Sequence, residues 1–169
     1  MLIGAERVAE GTRFHFRSTW KIPSGLVAIW NAIGGVDRWP EWWPSITEAW
    51  VVRGPTLPVT VGTITEYRVR SPLGYALRFR SEVTAFDLGK WIETKIHGNL
   101  SGRGRWDFVH AAGVTSAILA WDVAVTRPVL VRLAALGVVR SAMSWAHDRV
   151  MDGGEDGLRR LAAVKRAHA

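Results

Sequence analysis

Polar and apolar residues alternate through most of the stretch from residue 46 to residue 126, and this pattern restricts the fold more than any other feature. A period of two is typical of half-buried strands. It predicts six strands, at residues 46–53, 62–70, 75–86, 91–98, 102–109 and 115–126. Several links between them are short glycine-containing turns, whereas parallel neighbours would need long crossovers. The sequence therefore predicts a meander of antiparallel hairpins.

One strand and two short helices are predicted before this meander. Residues 13–21 alternate strictly between polar and apolar, and Pro23 ends that strand. Residues 24–33 carry apolar side chains at helical spacing and run into Gly34. A second short helix or turn is predicted at residues 36–43.

A long helical pattern opens at Pro128 and lasts to about Val164. Arg140 and His147 interrupt its apolar stripe. Because a buried charge is costly without a partner, Arg140 is expected to meet an anion or a carboxylate, or to leave the cavity at its mouth. His147 either donates to a ligand, acts as an acid or base, or is a satisfied core residue. The stripe consists of Val129, Leu133, Leu136, Met143, Val150, Met151, Gly154, Leu158 and Leu161.

The two faces of the predicted meander differ in chemistry. One face carries charges of both signs, such as Glu66, Arg78 and Arg80, and is predicted to be solvated, with ion pairs across neighbouring strands. It lacks the interleaved aromatic residues of a nucleic-acid platform, so no nucleic-acid partner is predicted. The other face is apolar with scattered hydroxyls, which is typical of a pocket that orients an apolar ligand through a few polar groups.

Length and composition favour one cytoplasmic domain. The chain has 169 residues, from which we predict a single domain at 12–165 after an N-terminal extension at 1–11 that lacks the apolar core of a secretory signal. The absence of cysteine excludes disulfides and thiolate metal sites and fits a reducing cytoplasm. The net charge of +7 is spread over dispersed residues, which favours a solvated basic surface.

No metal, cofactor or nucleophile motif is predicted. No two of the five histidines lie three or four residues apart, so the sequence offers no helical metal-ligand pair. The glycines at 102 and 104 lack the spacing and the following helix of a phosphate-binding loop. Ser144 lies in mid-helix, not in the strand-to-helix turn of a hydrolase nucleophile.

Three segments resemble the START-like (SRPBCC) superfamily, which includes polyketide cyclases/dehydrases, lipid-transfer proteins, pollen-allergen-like binders and coenzyme Q-binding proteins. The string IWNAIGGVDRWPEWWPSI at 29–46 looks like the mouth segment of that fold. The string VGTITEYRVRSPLGYALRFRSEVTAF at 61–86 is similar to its central hairpin, and HDRVMDGGEDGLRRL at 147–161 to its C-terminal helix. The resemblance covers residues 12–161.

The resemblance implies an α+β helix-grip fold. In this fold a seven-stranded curved antiparallel sheet wraps around a long C-terminal helix, with two short helices after the first strand. It implies a ligand between sheet and helix, with Trp39, Trp42 and Trp43 near the mouth. The implied lining residues are Tyr67, Phe79, Thr94, Trp106, Trp121, Met143 and His147, to which the helix stripe adds Arg140. No catalytic set is carried over.

Three functions follow as hypotheses. The first is binding or carriage of a lipid-like, polycyclic or polyketide-like molecule, by itself without catalysis. The second is a polyketide cyclase or dehydratase in which His147 is the acid or base, Arg140 anchors an enolate and Tyr67 is a supporting donor. The third is a module that contacts a membrane-bound or ribosomal partner through its basic surface. Oligomeric state is left open.

Overall fold

A computed structural model describes residues 13–126, 128, 132 and 137–167. Strands and helices follow one another in the predicted order, with a short 3-10 turn at Val36–Arg38 before the second helix. The elements are β1 (Arg13–Ile22), α1 (Leu26–Gly34), α2 (Trp39–Trp42), β2 (Ile46–Arg53), β3 (Ile64–Arg70), β4 (Ala76–Asp87), β5 (Trp91–Gly98), β6 (Leu100–Ala111), β7 (Val114–Val125) and α3 (Gly137–Ala167).

The seven strands form one antiparallel sheet in the order β1-β7-β6-β5-β4-β3-β2. The first strand returns beside the last, and its register runs without interruption from Arg13 opposite Ala124 to Ile22 opposite Thr115. The remaining strands pair with their neighbours in sequence, as their short links require. This confirms the predicted antiparallel meander with a long C-terminal helix.

Strand bounds agree with the sequence pattern at β2 and β5, while those of the other strands differ by one or two residues at one or both ends. The largest gain is in β6, which pairs with β7 from Leu100 to Ala111 because the ladder continues into residues without clear alternation. Pro128 and Arg132 are helical, and α3 is continuous from Gly137. The predicted stripe residues Val129, Leu133 and Leu136 lie outside the described residues.

The core lies between the inner face of the sheet and α3. A tryptophan cluster, formed by Trp20, Trp42 and Trp43, closes it on one side. Trp20 of β1 packs edge-on against Trp43, with ring centroids 4.9 Å apart. A Cβ on Gly154 would come within 2.6 Å of Trp43 and 2.7 Å of Trp20, and one on Gly157 would collide with the Trp42 carbonyl oxygen. The glycines therefore allow α3 to approach the cluster closely.

Cross-strand ion pairs cover much of the outer face, including Arg53–Glu82, Arg68–Glu48 and Arg105–Glu93. Glu66 departs from the prediction of a solvated face because it is only 3% exposed. The guanidinium groups of Arg78 and Arg80 cover its carboxylate and donate to it. The hydrogen bond from Arg80 is the main reason that the pKa of Glu66 lies below its usual range, although burial acts in the opposite direction.

Candidate functional site

A cavity of about 180 Å³ lies between the sheet and α3. Strand residues from the inner face form most of its wall, and α3 contributes Met143, Ala146 and His147. The link between β2 and β3 contributes Thr56, Val59 and Thr60. None of the described residues that line it is Asp, Glu, Lys or Arg, so the described wall is uncharged once His147 is neutral.

Most residues predicted for the ligand site are brought together around this cavity. Trp106 and Met143 are buried in its wall, at 7% and 8% exposure. Thr94 points its hydroxyl to the carbonyl oxygen of Gly104 at 3.4 Å, while Trp39 and Trp43 close the side next to α1 and α2. The predicted residues that line the cavity are Trp39, Trp43, Tyr67, Phe79, Thr94, Trp106, Trp121, Met143 and His147.

Arg140 does not line the cavity. Its guanidinium carbon lies 4.6 Å from the centre of the Phe14 ring, and its Nη2 donates to the Arg13 carbonyl oxygen at 2.8 Å. The long side chain thus leaves the apolar stripe and reaches the first residues of β1. Of the alternatives for this residue, the structure shows a side chain bound to backbone and ring at the edge of the sheet.

Trp42 is also outside the cavity wall, although it was predicted near the mouth. It is 7% exposed and packs against Trp20 and Trp43, with ring centroids 6.4 and 5.6 Å away. Its neighbour Trp43 lines the cavity and donates from Nε1 to the Val150 carbonyl oxygen of α3 at 2.8 Å. Trp42 therefore supports the wall from behind.

A continuous row of rings follows the cavity wall from β1 to α2. His147 stacks on Phe16 at 3.8 Å between ring centroids and lies 5.9 Å from Trp121. Trp121 lies over Gly104, where a Cβ would come within 2.8 Å of the indole. The ring centroids of successive residues in the row are no more than 5.9 Å apart. The order is Phe16, His147, Trp121, Phe79, Tyr67 and Trp39.

His147 is the residue of this row that has a buried nitrogen without a hydrogen-bond partner among the described residues. That nitrogen is Nε2. Burial lowers the pKa of His147 from its ordinary value of 6.5 to about 4, so the imidazole is neutral near pH 7. A neutral imidazole has one donor and one acceptor nitrogen, and a buried one without a partner is costly.

Tyr67 forms the second polar part of the wall. The hydroxyls of Ser81 and Thr65 lie near its phenol, and all three residues line the cavity. Burial raises the pKa of Tyr67 to about 12, although the neighbouring hydroxyls of Ser81 and Thr65 act in the opposite direction. The phenol therefore stays protonated near neutral pH.

Sequence analysis missed several lining residues. Phe16 of β1 lines the cavity but was not predicted to, although its apolar place in the alternating pattern of residues 13–21 gave the signal. Ala146 and Val150 flank His147 on α3 and could have been found by the same helical spacing. The link residues Thr56 and Val59 belong to a segment without the periodicity that would predict which way their side chains point.

No cluster of three or more His, Asp or Glu that could hold a metal occurs in the described part of the chain.

A family model described as polyketide cyclase / dehydrase and lipid transport matches residues 13–164. The chain belongs to this family. The match confirms the resemblance to START-like proteins, and it covers every strand and almost all of α3. No helix in the described ranges has the length and apolar character needed to cross a membrane. A comparison with curated proteins gave no significant match.

Solved structures show the same fold as this family member. The Zhui aromatase/cyclase from a Streptomyces species has a TM-score of 0.71 at 14% identity, over 89% of this chain and 94% of that one. A START superfamily protein from Mycobacterium smegmatis has a TM-score of 0.69 at 15% identity, over 88% and 97% of the two chains.

The di-domain ARO/CYC protein BexL has a TM-score of 0.69 at 19% identity. The superposition covers 90% of this chain and 50% of BexL, so the chain spans half the length of that protein. At such identities the likeness to all three structures is a likeness of fold alone.

Proposed function

We propose that this protein binds or carries an apolar small molecule, lipid-like or polycyclic, in the cavity between the sheet and α3. The observation that carries the proposal is the chemistry of the wall, in which aromatic and aliphatic side chains far outnumber nine hydroxyl-bearing residues and one neutral histidine. Sites for apolar ligands have this composition, because the apolar wall provides affinity and a few polar groups fix orientation. Membership of a family that includes lipid transport supports the same function.

Catalysis by a cyclase or dehydratase mechanism is the second candidate. Its support is the buried Nε2 of His147, since an acid or base must reach the reacting group. A catalytic base works best with a pKa near the operating pH, and about 4 is far below it. Arg140, the expected enolate anchor, bonds to Arg13 instead of lining the cavity. These two observations favour binding without catalysis.

A larger side chain on the α3 side of the cavity should reduce its volume and so tests the proposal. Ala146 is 3% exposed and lines the cavity, so Ala146→Leu adds three carbons to its wall at little cost in helix propensity. We expect this variant to bind 1-aminoanthracene, an uncharged three-ring dye, at least about tenfold more weakly than the wild type. Dye fluorescence gives the Kd, and circular dichroism checks the fold.

Ala163→Leu is the matched control, because Ala163 is an exposed position of the same helix. It should leave the Kd of the dye unchanged. Equal Kd values for both variants would mean that the dye binds elsewhere and would contradict the proposed site. Native mass spectrometry of the purified protein, followed by denaturing extraction, then gives the mass of any apolar molecule that copurifies.

A further inference from the structure

The proposed site has a property that separates two ligand classes, because it lacks charge throughout its described wall. A carboxylate or phosphate placed inside would lose its hydration without gaining a cationic partner, which costs several kcal/mol. Arg140 of α3, the arginine on the predicted apolar stripe, does not line the cavity and contacts the Phe14 ring and the backbone of Arg13. Free fatty acids and phospholipid headgroups therefore do not match this wall.

The shape of the wall favours rings over flexible chains. Trp121 and Phe79 lie between His147 and Tyr67 in the cavity wall, so a flat molecule in the cavity can contact several aromatic rings at once. The cavity of about 180 Å³ is only slightly larger than the roughly 150 Å³ engineered cavity that holds benzene in another protein. A small, flat ring compound matches both observations.

The polar groups of the wall differ in what they still require. The hydroxyls of Tyr67, Ser81 and Thr65 neighbour one another in the wall, whereas His147 Nε2 is buried with no partner among the described residues. The neutral imidazole presents either a donor or an acceptor at Nε2, depending on its tautomer. A hydroxyl satisfies both tautomers because it can donate and accept, while a ketone satisfies only one.

We infer that the ligand is an uncharged, flat ring compound whose hydroxyl hydrogen-bonds to His147 Nε2. This inference rests on the proposed function and narrows it from apolar molecules in general to neutral phenol-like ones. The ring of such a ligand lies against Trp121 and its neighbours, and its hydroxyl provides the hydrogen bond that the described residues do not supply. The inference assigns His147 to ligand recognition and requires no chemistry from it.

A series of two-ring probes tests the inference by displacement of 1-aminoanthracene near neutral pH. The series is naphthalene, 2-naphthol and 2-naphthoate, with laurate as the chain-shaped anion. We expect 2-naphthol to bind about five- to tenfold more tightly than naphthalene, which is the effect of one buried hydrogen bond. We expect 2-naphthoate and laurate to bind at least about a hundredfold more weakly than 2-naphthol.

His147→Phe is the matched variant, because phenylalanine keeps a ring between Phe16 and Trp121 but removes Nε2. It should abolish the preference for 2-naphthol over naphthalene, whatever the affinity of the variant for naphthalene itself. A preference that survives in this variant overturns the assignment to His147. The comparison of probes in the wild type does not depend on how well the variant folds.

The outcomes separate the inference from the proposed function. If 2-naphthoate or laurate binds as tightly as 2-naphthol, the inference is wrong, and binding of an apolar molecule in the cavity still stands. If neither the dye nor any probe binds, the proposed function is wrong, and the inference is wrong with it.

Discussion

His147 couples the stability of the fold to pH. Burial lowers its pKa from 6.5 to about 4, so the unfolded chain takes up this proton at a higher pH than the folded protein does. The stabilising effect is complete above about pH 6.5 and is lost progressively as the pH falls toward 4. Linkage gives a loss of about 2 kcal/mol in the free energy of unfolding between pH 7 and pH 5.

We therefore predict that His147→Phe reduces the pH dependence of unfolding by about that 2 kcal/mol over the same interval. Urea denaturation at the two pH values measures the difference. His97→Phe, at an exposed position of β5, is the control and should keep the wild-type dependence. An unchanged dependence in His147→Phe would show that this imidazole is solvated enough to titrate normally.

At the same scale, the sequence identified His147 and Arg140 as the polar interruptions of the helix stripe but could not say how each is accommodated. Helical spacing gives the direction in which a side chain leaves the helix, and it placed both residues on the face toward the sheet. Where the polar group of each side chain finally lies depends on the length of the side chain and on its neighbours. The imidazole stays between Phe16 and Trp121, whereas the longer guanidinium reaches the Phe14 ring and the Arg13 carbonyl.

Helix α3 approaches the tryptophan cluster so closely that its glycines differ in what they tolerate. A Cβ at Gly157 would collide with the Trp42 carbonyl oxygen, which belongs to backbone and cannot rotate away. A Cβ at Gly153 would only touch Pro44 at 4.0 Å. We predict that Gly157→Ala lowers the free energy of unfolding by about 2 kcal/mol or more, while Gly153→Ala raises it by roughly 0.5–1 kcal/mol through helix propensity.

Urea denaturation of the two variants checks this pair. The substitution is the same and the positions are four residues apart in one helix, so a difference of sign isolates the contact with Trp42. Stabilisation by both substitutions would mean that α3 lies farther from the tryptophan cluster. We expect the free energy of unfolding to be higher than that of the wild type in Gly153→Ala and lower in Gly157→Ala.

Elements with a regular period could be predicted from the sequence, and irregular ones could not. Alternation and short links were enough for the meander, and β2 and β5 agree with it to the residue. Helical spacing placed Gly154 on the apolar stripe but gave no signal at Gly157, because the contact there is made by the backbone carbonyl of the distant Trp42. Thr56 and Val59 reach the cavity from a link whose path depends on tertiary packing.

On the scale of the whole molecule, charge and ligand site are separated. Ion pairs of the described residues cover the outer face, where Arg78 and Arg80 bind Glu66 and Arg53 pairs with Glu82, and no described Asp, Glu, Lys or Arg lines the cavity wall. At about 0.1 M salt, interactions between exposed charges more than roughly 10 Å apart are largely screened. Salt has little effect on the burial of an uncharged ring. Salt dependence therefore distinguishes the cavity from the basic surface.

We predict that the Kd of 1-aminoanthracene changes less than about twofold between roughly 0.05 and 0.5 M NaCl near neutral pH. The comparison is sedimentation with vesicles that contain anionic lipid, because contact through the basic surface should weaken steeply over the same range. If the dye loses about tenfold or more in affinity with salt, its binding depends on surface charge. A module that recognises partners through its basic surface would then describe the protein better than an uncharged internal site.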